Sequence, residues 1–123
     1  MTINESSIDL YAVWAERTEL EDGNTGFTAS AGDGVVGLIL GTSEVTIGRS
    51  NNWVNENSVT WLIIGGGVPS VGESAFESCT SLKGVLLDGG VRQIGDYAFR
   101  GCYITDLDLG GAETISKQAF DGC

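Results

Sequence analysis

The nonapeptide IGDYAFRGC at residues 94–102 recurs on both sides of itself, and this recurrence decides the fold. The stretch VGESAFESC stands 23 residues earlier, at 71–79, and ISKQAFDGC stands 21 residues later, at 115–123. The apolar positions upstream of the nonapeptide repeat with the same spacing. The residues 3, 7, 9 and 12 places before Ile94 are all apolar, and so are those at the same distances before Val71. A period in the low twenties is typical of a solenoid, in which stacking buries apolar residues that one coil cannot bury alone.

Each coil contains a strand pattern followed by a turn pattern. Val85 and Leu87 alternate with their neighbours, which predicts a short strand with both side chains on one side. From Ile94 to Cys102 the apolar residues lie at i, i+4, i+5 and i+8, which suits a short helical turn. The predicted fold is therefore a leucine-rich-repeat type of β-solenoid. It has a short parallel sheet, short helical or 3-10 turns, and about three coils plus an atypical N-terminal coil.

The same spacing predicts the organisation of the chain. Residues 59–123 form the regular coils, and residues 35–58 form a capping coil in which Asn52-Trp53 replaces the Ala-Phe pair. The glycine- and acid-rich run Glu19–Gly34 before them is typical of a linker. Because the chain stops just after the turn of the last coil, we expect either a fragment or a last coil that packs against another chain.

The repeat resembles the BspA-like (Treponema pallidum type) leucine-rich repeat through Gly-x-x-Ala-Phe-x-x-Cys at 72–79 and 95–102. The third copy departs at Ser116, and Gly65, Asp88 and Gly110 replace the proline usual after the strand. The resemblance implies a right-handed solenoid with a parallel sheet on one side. It also implies an extracellular or surface-anchored protein, often bacterial, that serves in adhesion and host-protein binding.

A second resemblance lies near the N-terminus. Residues 8–15, IDLYAVWA, resemble the closing strand of an InlB-type (Listeria–Bacteroides) repeat, a module that often stands beside such solenoids. This resemblance implies that residues 1–15 are the severed β-strand of a preceding module and that residues 16–34 are a linker.

The charge balance limits the partners. Six basic residues stand against 17 acidic ones, for a net charge of −11. This balance disfavours nucleic acid and anionic lipid, and favours a solubilising surface or basic partners. No apolar run of about 18 residues is present, so no membrane insertion is predicted. The first residues lack the basic segment and apolar core of a signal peptide.

Catalytic and metal chemistry find little support in the sequence. The chain has no histidine, which removes the Ser-His-Asp and Cys-His arrangements and most zinc sites. The glycine pattern at 32–37 precedes a strand rather than a helix, so no dinucleotide site follows from it. We predict no cofactor and no metal. The cysteines at 79, 102 and 123 share one repeat position, which predicts a column of buried thiols, with a Cys79–Cys102 disulfide as the alternative.

The outward residues of the strands predict a binding face. If alternate residues of each strand point inward, the outward residues form an apolar stripe on the earlier strands and are acidic on the last one. The predicted binding face comprises Ile39, Trp61, Ile63, Leu86, Asp88, Asp106 and Asp108. The alternatives are that the first 34 residues cover the stripe, or that it pairs two copies in a homo-oligomer. The open C-terminal coil is a second surface for such pairing.

The sequence leaves three classes of function open. The favoured one is a non-enzymatic adhesion or protein-binding module of a bacterial-type cell-surface protein, with an extracellular or host protein as partner. The alternative is a structural spacer. The distant alternative is a glycan-active enzyme or a calcium site built on Asp106, Asp108 and Asp88, although carboxylates on a strand more simply face water.

Overall fold

A computed structural model describes residues 16–19, 23–31, 34–46, 49–65, 67–88 and 90–123. The strands and the helix are, in chain order, β1 Glu16–Glu19, β2 Thr25–Ala31, β3 Gly34–Leu40, α1 Arg49–Glu56, β4 Trp61–Ile64, β5 Ser70–Val71, β6 Gly84–Leu87, β7 Gln93–Ile94, β8 Asp106–Asp108 and β9 Thr114–Ile115. The N-terminal residues 1–15, with the proposed InlB-type strand, lie outside the described residues.

The strands form two sheets that follow the repeat. The larger sheet has the order β1-β2-β3-β4-β6-β8, and β3, β4, β6 and β8 run parallel to one another. The smaller sheet has the order β5-β7-β9, also parallel. Each regular coil gives one strand to each sheet, so the predicted leucine-rich-repeat solenoid is confirmed.

Stacked phenylalanines fill the interior between the sheets. The rings of Phe76 and Phe99 stack with centroids 5.3 Å apart, and those of Phe99 and Phe120 with centroids 5.2 Å apart. Phe76 and Phe99 are fully buried. Equivalent side chains of successive coils therefore share one interior, which is the packing that the period implied.

The predicted helical turns are formed as hydrogen-bonded turns without an α-helix. At the fourth and eighth positions of the nonapeptide the backbone is left-handed, with φ of 56° at Ser74, 58° at Tyr97 and 63° at Ser78. These left-handed residues interrupt helical geometry. Amide groups instead reach the next coil: Phe76 N donates to Ala98 O at 2.7 Å and Ser78 N to Arg100 O at 2.7 Å. The turns thus add a third set of hydrogen bonds between coils.

The motif glycine lies where two coils touch through their backbones. A Cβ atom on Gly95 would stand 2.9 Å from Glu73 N and 3.0 Å from the carbonyl carbon of Gly72. Both neighbours are main-chain atoms that cannot swing away. The close approach of the coils therefore requires glycine at this position.

The N-terminal part of the chain adds strands to the solenoid sheet. Residues 16–34 are predicted as a linker, but they contain β1 and β2, which pair antiparallel with each other and with β3. Asn24 fixes the turn after β3, because its buried amide donates to Ser43 O at 3.1 Å and accepts from Ser43 N at 3.2 Å. Glycine content suggested a linker, whereas here Gly26 makes room for a neighbouring ring.

That ring belongs to Trp53 of α1, and it sets the register of the first parallel strand. A Cβ atom on Gly26 would lie 2.7 Å from the Trp53 ring, and one on Gly37 would lie 3.0 Å from it. Gly37 therefore faces the core and pairs with Leu62, while Ile39 pairs with Ile64. The prediction that Ile39 faces outward on the binding face is wrong: Ile39 is fully buried in the core.

The last coil is the most open part of the described core. Leu107 and Ile115 occupy inward repeat positions but are each 43% exposed. Their strands, β8 and β9, end the two sheets within the described residues. The final coil is therefore less well packed than the coils before it. Among the described residues, no helix is long and apolar enough to cross a membrane.

Candidate binding face of the larger sheet

The outward residues of the parallel strands lie in two rows across the larger sheet, which we call the outer face. One row runs Val36, Trp61, Gly84, Asp106, and the other runs Leu38, Ile63, Leu86, Asp108. From β4 to β8 these rows are the ones that the repeat predicted. On β3 the register differs by one residue from the predicted one, so Val36 and Leu38 lie in the outward rows and Ile39 does not. A shift of one residue turns every side chain of a strand to the other side of the sheet.

The β3 end of the outer face is buried. Val36, Leu38 and Ile63 are 3%, 4% and 7% exposed and form a second apolar cluster, separate from the solenoid core. Ile63, predicted as a contact residue, therefore has little accessible surface. Strands β1 and β2 lie beside β3 in the sheet and not over it. The accessible part of the outer face is the part nearer β8.

The side chain of Trp61 lies flat on the neighbouring strand. A Cβ atom on Gly84 would be 2.5–2.6 Å from Cε3, Cδ2 and Cζ3 of the indole. The glycine at the opposing position therefore lets the ring extend across β6 toward β8. Trp61 is half-buried, and Leu86 on the same strand pair is also half-buried.

A shallow groove separates the indole from the edge strand. The groove has a volume of about 310 Å³ and is lined by Trp61, Val85, Leu86, Asp106, Leu107 and Asp108. A smaller groove of about 190 Å³ on the other side of the ring is lined by Thr60, Trp61, Lys83, Thr105 and Asp106. We call these two together the Trp61 groove. Trp61 and Asp106 line both halves.

Two exposed carboxylates form the acidic side of the Trp61 groove. Asp106 accepts a hydrogen bond from Thr105 Oγ1 at 3.3 Å, and Asp108 accepts one from Gly110 N at 2.9 Å. Both are open to solvent and keep acceptor capacity for a ligand. Asp88, predicted for the same face, lies in the turn after β6 and does not line the groove.

Repeat positions on the smaller sheet form a second acidic groove that the sequence analysis missed. It measures about 360 Å³, and its lining includes Glu44, Glu73 and Asp96. Glu44 accepts from Ser70 Oγ at 2.9 Å, and Asp96 accepts from Ser116 Oγ. The sequence does carry a signal for this groove, because an acidic residue follows the motif glycine in two successive coils, Glu73 after Gly72 and Asp96 after Gly95. Among the described residues, no cluster of histidine, cysteine, aspartate and glutamate could hold a metal ion.

A comparison with protein-family models identifies the repeat. The model described as "BspA type Leucine rich repeat region (6 copies)" matches residues 46–123, more than half of the chain. The chain belongs to the BspA-type leucine-rich repeat family. Proteins of this family are typically surface proteins, and the family is a repeat family rather than a family of enzymes.

A solved structure agrees with this assignment at the level of the fold. The crystal structure of a leucine-rich repeat protein from Eubacterium ventriosum ATCC 27560 matches with a TM-score of 0.63 and 22% sequence identity. The match covers 81% of this chain and 27% of that chain, so this chain spans about a quarter of that protein's length. A comparison with curated proteins finds no match.

The cysteine of the BspA-type motif is a packing element in the structure. Cys79, Cys102 and Cys123 are free thiols; Cys79 and Cys102 are buried as predicted, whereas Cys123 is exposed. Cys102 Sγ donates to Phe76 O at 3.2 Å and Cys123 Sγ to Phe99 O at 3.1 Å, so each thiol bonds to the preceding coil. The hydrogen bond with Cys102 and burial hold the pKa of Cys79 well above the ordinary thiol value. Cys79 therefore stays a neutral thiol, as the predicted thiol column requires.

Proposed function

We propose that this chain is a non-enzymatic protein-binding module of a cell-surface protein and that it binds its partner through the Trp61 groove. The observation that carries the proposal is a half-buried tryptophan, held flat on the sheet by Gly84 and bordered by Leu86 and two carboxylates. Tryptophan is the residue type most enriched among energetically dominant contacts of protein interfaces.

The shape of the surface supports a macromolecular partner. The Trp61 groove is shallow and lies on a sheet stiffened by parallel pairing from β3 to β8. Small-molecule sites, by contrast, are usually concave and mostly apolar. A rigid platform loses little conformational entropy when a protein binds, so more of the contact energy remains as affinity.

The location is proposed on the family and the charge. BspA-type repeats typically belong to surface proteins. A net charge of −11 suits a solvent-facing module that associates with basic surfaces. We therefore propose a role in adhesion, in which the Trp61 groove binds an extracellular or host protein.

A non-enzymatic role is proposed from the placement of the carboxylates. Asp106 and Asp108 are both exposed on one edge strand. A carboxylic acid that acts as a general acid usually sits in an apolar pocket, while its partner sits in a polar one. The Trp61 groove offers the two side chains similar, wet environments, which favours binding over acid–base chemistry.

The test is binding to immobilised extracellular-matrix and serum proteins, measured by biolayer interferometry. We expect saturable binding to at least one of them, lost in Trp61→Asp and retained in Gln93→Asp, which adds the same charge on β7 of the smaller sheet. A folded protein that binds none of the panel would favour the structural spacer. Equal loss in both variants would refute the assignment to the outer face.

A further inference from the structure

We propose that the Trp61 groove takes an arginine side chain of an extended basic segment of the partner protein. This inference rests on the proposed function and names the chemistry of the partner. The inference follows from three features of the groove. It has a flat aromatic ring, it has carboxylates on the neighbouring strand, and those two carboxylates are spaced like alternate side chains of an extended peptide.

The ring is presented as a stacking surface. Contact with Gly84 fixes the indole on one side, and the remaining ring surface lines both halves of the groove. A guanidinium stacks on indole faces more readily than other charged groups because it is planar and weakly hydrated. An ammonium would bind the same ring only as a point charge.

The carboxylates lie where the end of a stacked arginine would reach. Gly84, under the ring, pairs directly with Asp106 on the next strand. Adjacent strands are about 4.8 Å apart, so the carboxylate of the next strand is the nearest acidic group that a guanidinium stacked at the ring edge could reach. The fork of N–H donors then matches the two carboxylate oxygens.

The spacing along β8 favours an extended peptide. Asp106 and Asp108 lie two residues apart on one side of the strand, which is roughly 6.6 Å. Alternate side chains of an extended peptide have the same separation. One arginine on the ring and a second two residues away can therefore each meet a carboxylate.

One cation of the chain opposes the ligand. Lys83 lines the smaller half of the groove together with Asp106. Two carboxylates against one ammonium leave the groove acidic, but Lys83 lowers the attraction for arginine. Removing its charge is expected to tighten binding.

The experiment uses a fluorescein-labelled peptide of four Arg-Ser repeats, measured by fluorescence anisotropy at about 50 mM salt, where surface charges act over more than 10 Å. The same peptide with citrulline in place of arginine keeps the shape and loses the charge. We expect saturable binding of the arginine peptide, and binding at least about tenfold weaker for the citrulline peptide.

Four matched pairs of variants locate the contact. Trp61→Ala should weaken binding of the arginine peptide about three- to tenfold. Tyr103→Ala removes an aromatic residue that lies outside the groove and is 65% exposed, and it should weaken binding less than twofold. Gly84→Ala displaces the ring while keeping the tryptophan and should also weaken binding. Gly90→Ala should not, because its Cβ atom would meet its nearest neighbour at 3.8 Å, an ordinary van der Waals distance. Asp106→Asn should weaken binding of the arginine peptide more than Glu73→Gln, which removes a carboxylate from the acidic groove beside the smaller sheet. Lys83→Gln should tighten binding of the peptide more than Lys117→Gln, which removes a positive charge outside the Trp61 groove.

Three results would overturn the inference. If Trp61→Ala and Gly84→Ala bind as the unaltered protein does, the peptide is held by the overall negative charge alone. If Asp106→Asn and Glu73→Gln weaken binding equally, the carboxylates of the groove have no special part. Binding to an extracellular protein that depends on Trp61, without arginine-peptide binding, would sink this inference and leave the proposed function standing.

Discussion

Replacing Phe99 by alanine should be the most destabilising change in the phenylalanine column. Phe99 is fully buried and stacks on two rings, Phe76 at 5.3 Å and Phe120 at 5.2 Å. Removing a buried phenylalanine costs about 3–5 kcal/mol of unfolding free energy. Each lost ring pair adds roughly 0.5–1.5 kcal/mol beyond the buried area. We expect Phe99→Ala to lose about 4–8 kcal/mol of unfolding free energy, a large part of the 5–15 kcal/mol typical of a domain.

The other two rings provide the comparison. Phe76→Ala removes a fully buried ring with one stacked partner, and Phe120→Ala removes a half-buried ring with one partner. The expected order of loss is Phe99, then Phe76, then Phe120, with Phe120→Ala near 2 kcal/mol. Equilibrium urea unfolding, followed by circular dichroism, measures all three. Equal losses, or the largest loss at Phe120, would contradict the stacked interior.

Three further outcomes are expected. The raised pKa of Cys79 means that the unfolded chain releases this proton near pH 8.5–9 and the folded chain does not. The stabilisation is therefore full below that range, and the unfolding free energy should fall as the pH rises above it, less steeply in Cys79→Ala. Gly95→Ala should cost about 1–3 kcal/mol in urea unfolding because its Cβ would meet backbone at 2.9 Å, while Gly90→Ala should be nearly neutral. Ser78→Gly, at φ 63° and equivalent to Gly101, should raise the melting temperature through a gain of up to about 1 kcal/mol.

The regular coils could be predicted from the sequence because their side chains repeat in identity and not only in polarity. Phe76, Phe99 and Phe120 stand at matched positions, so one alignment placed the core, the strands and the outward rows from β4 to β8 together. Trp61, Leu86, Asp106 and Asp108 consequently lie on one face, as predicted. The alternation of short strands fixed which residues point outward.

The first parallel strand could not be predicted because it is apolar on both sides. Val36 and Leu38 join one cluster, and Ile39 joins the other. With no polar residue to mark the outer side, only the bulk of Trp53 over Gly26 and Gly37 decides the register. That contact is long-range, and no spacing within the strand reveals it. Strands β1 and β2 were missed for a related reason, since glycine there serves packing and not a linker.

Hydrogen–deuterium exchange of the protein, with and without a bound partner from the extracellular panel, would locate the binding face on one of the two sheets. We expect bound-state protection of backbone amides in β4, β6 and β8 and in the segment around Thr105, with unchanged exchange in β5, β7 and β9. Protection confined to the smaller sheet and its acidic groove would contradict a binding face built on Trp61.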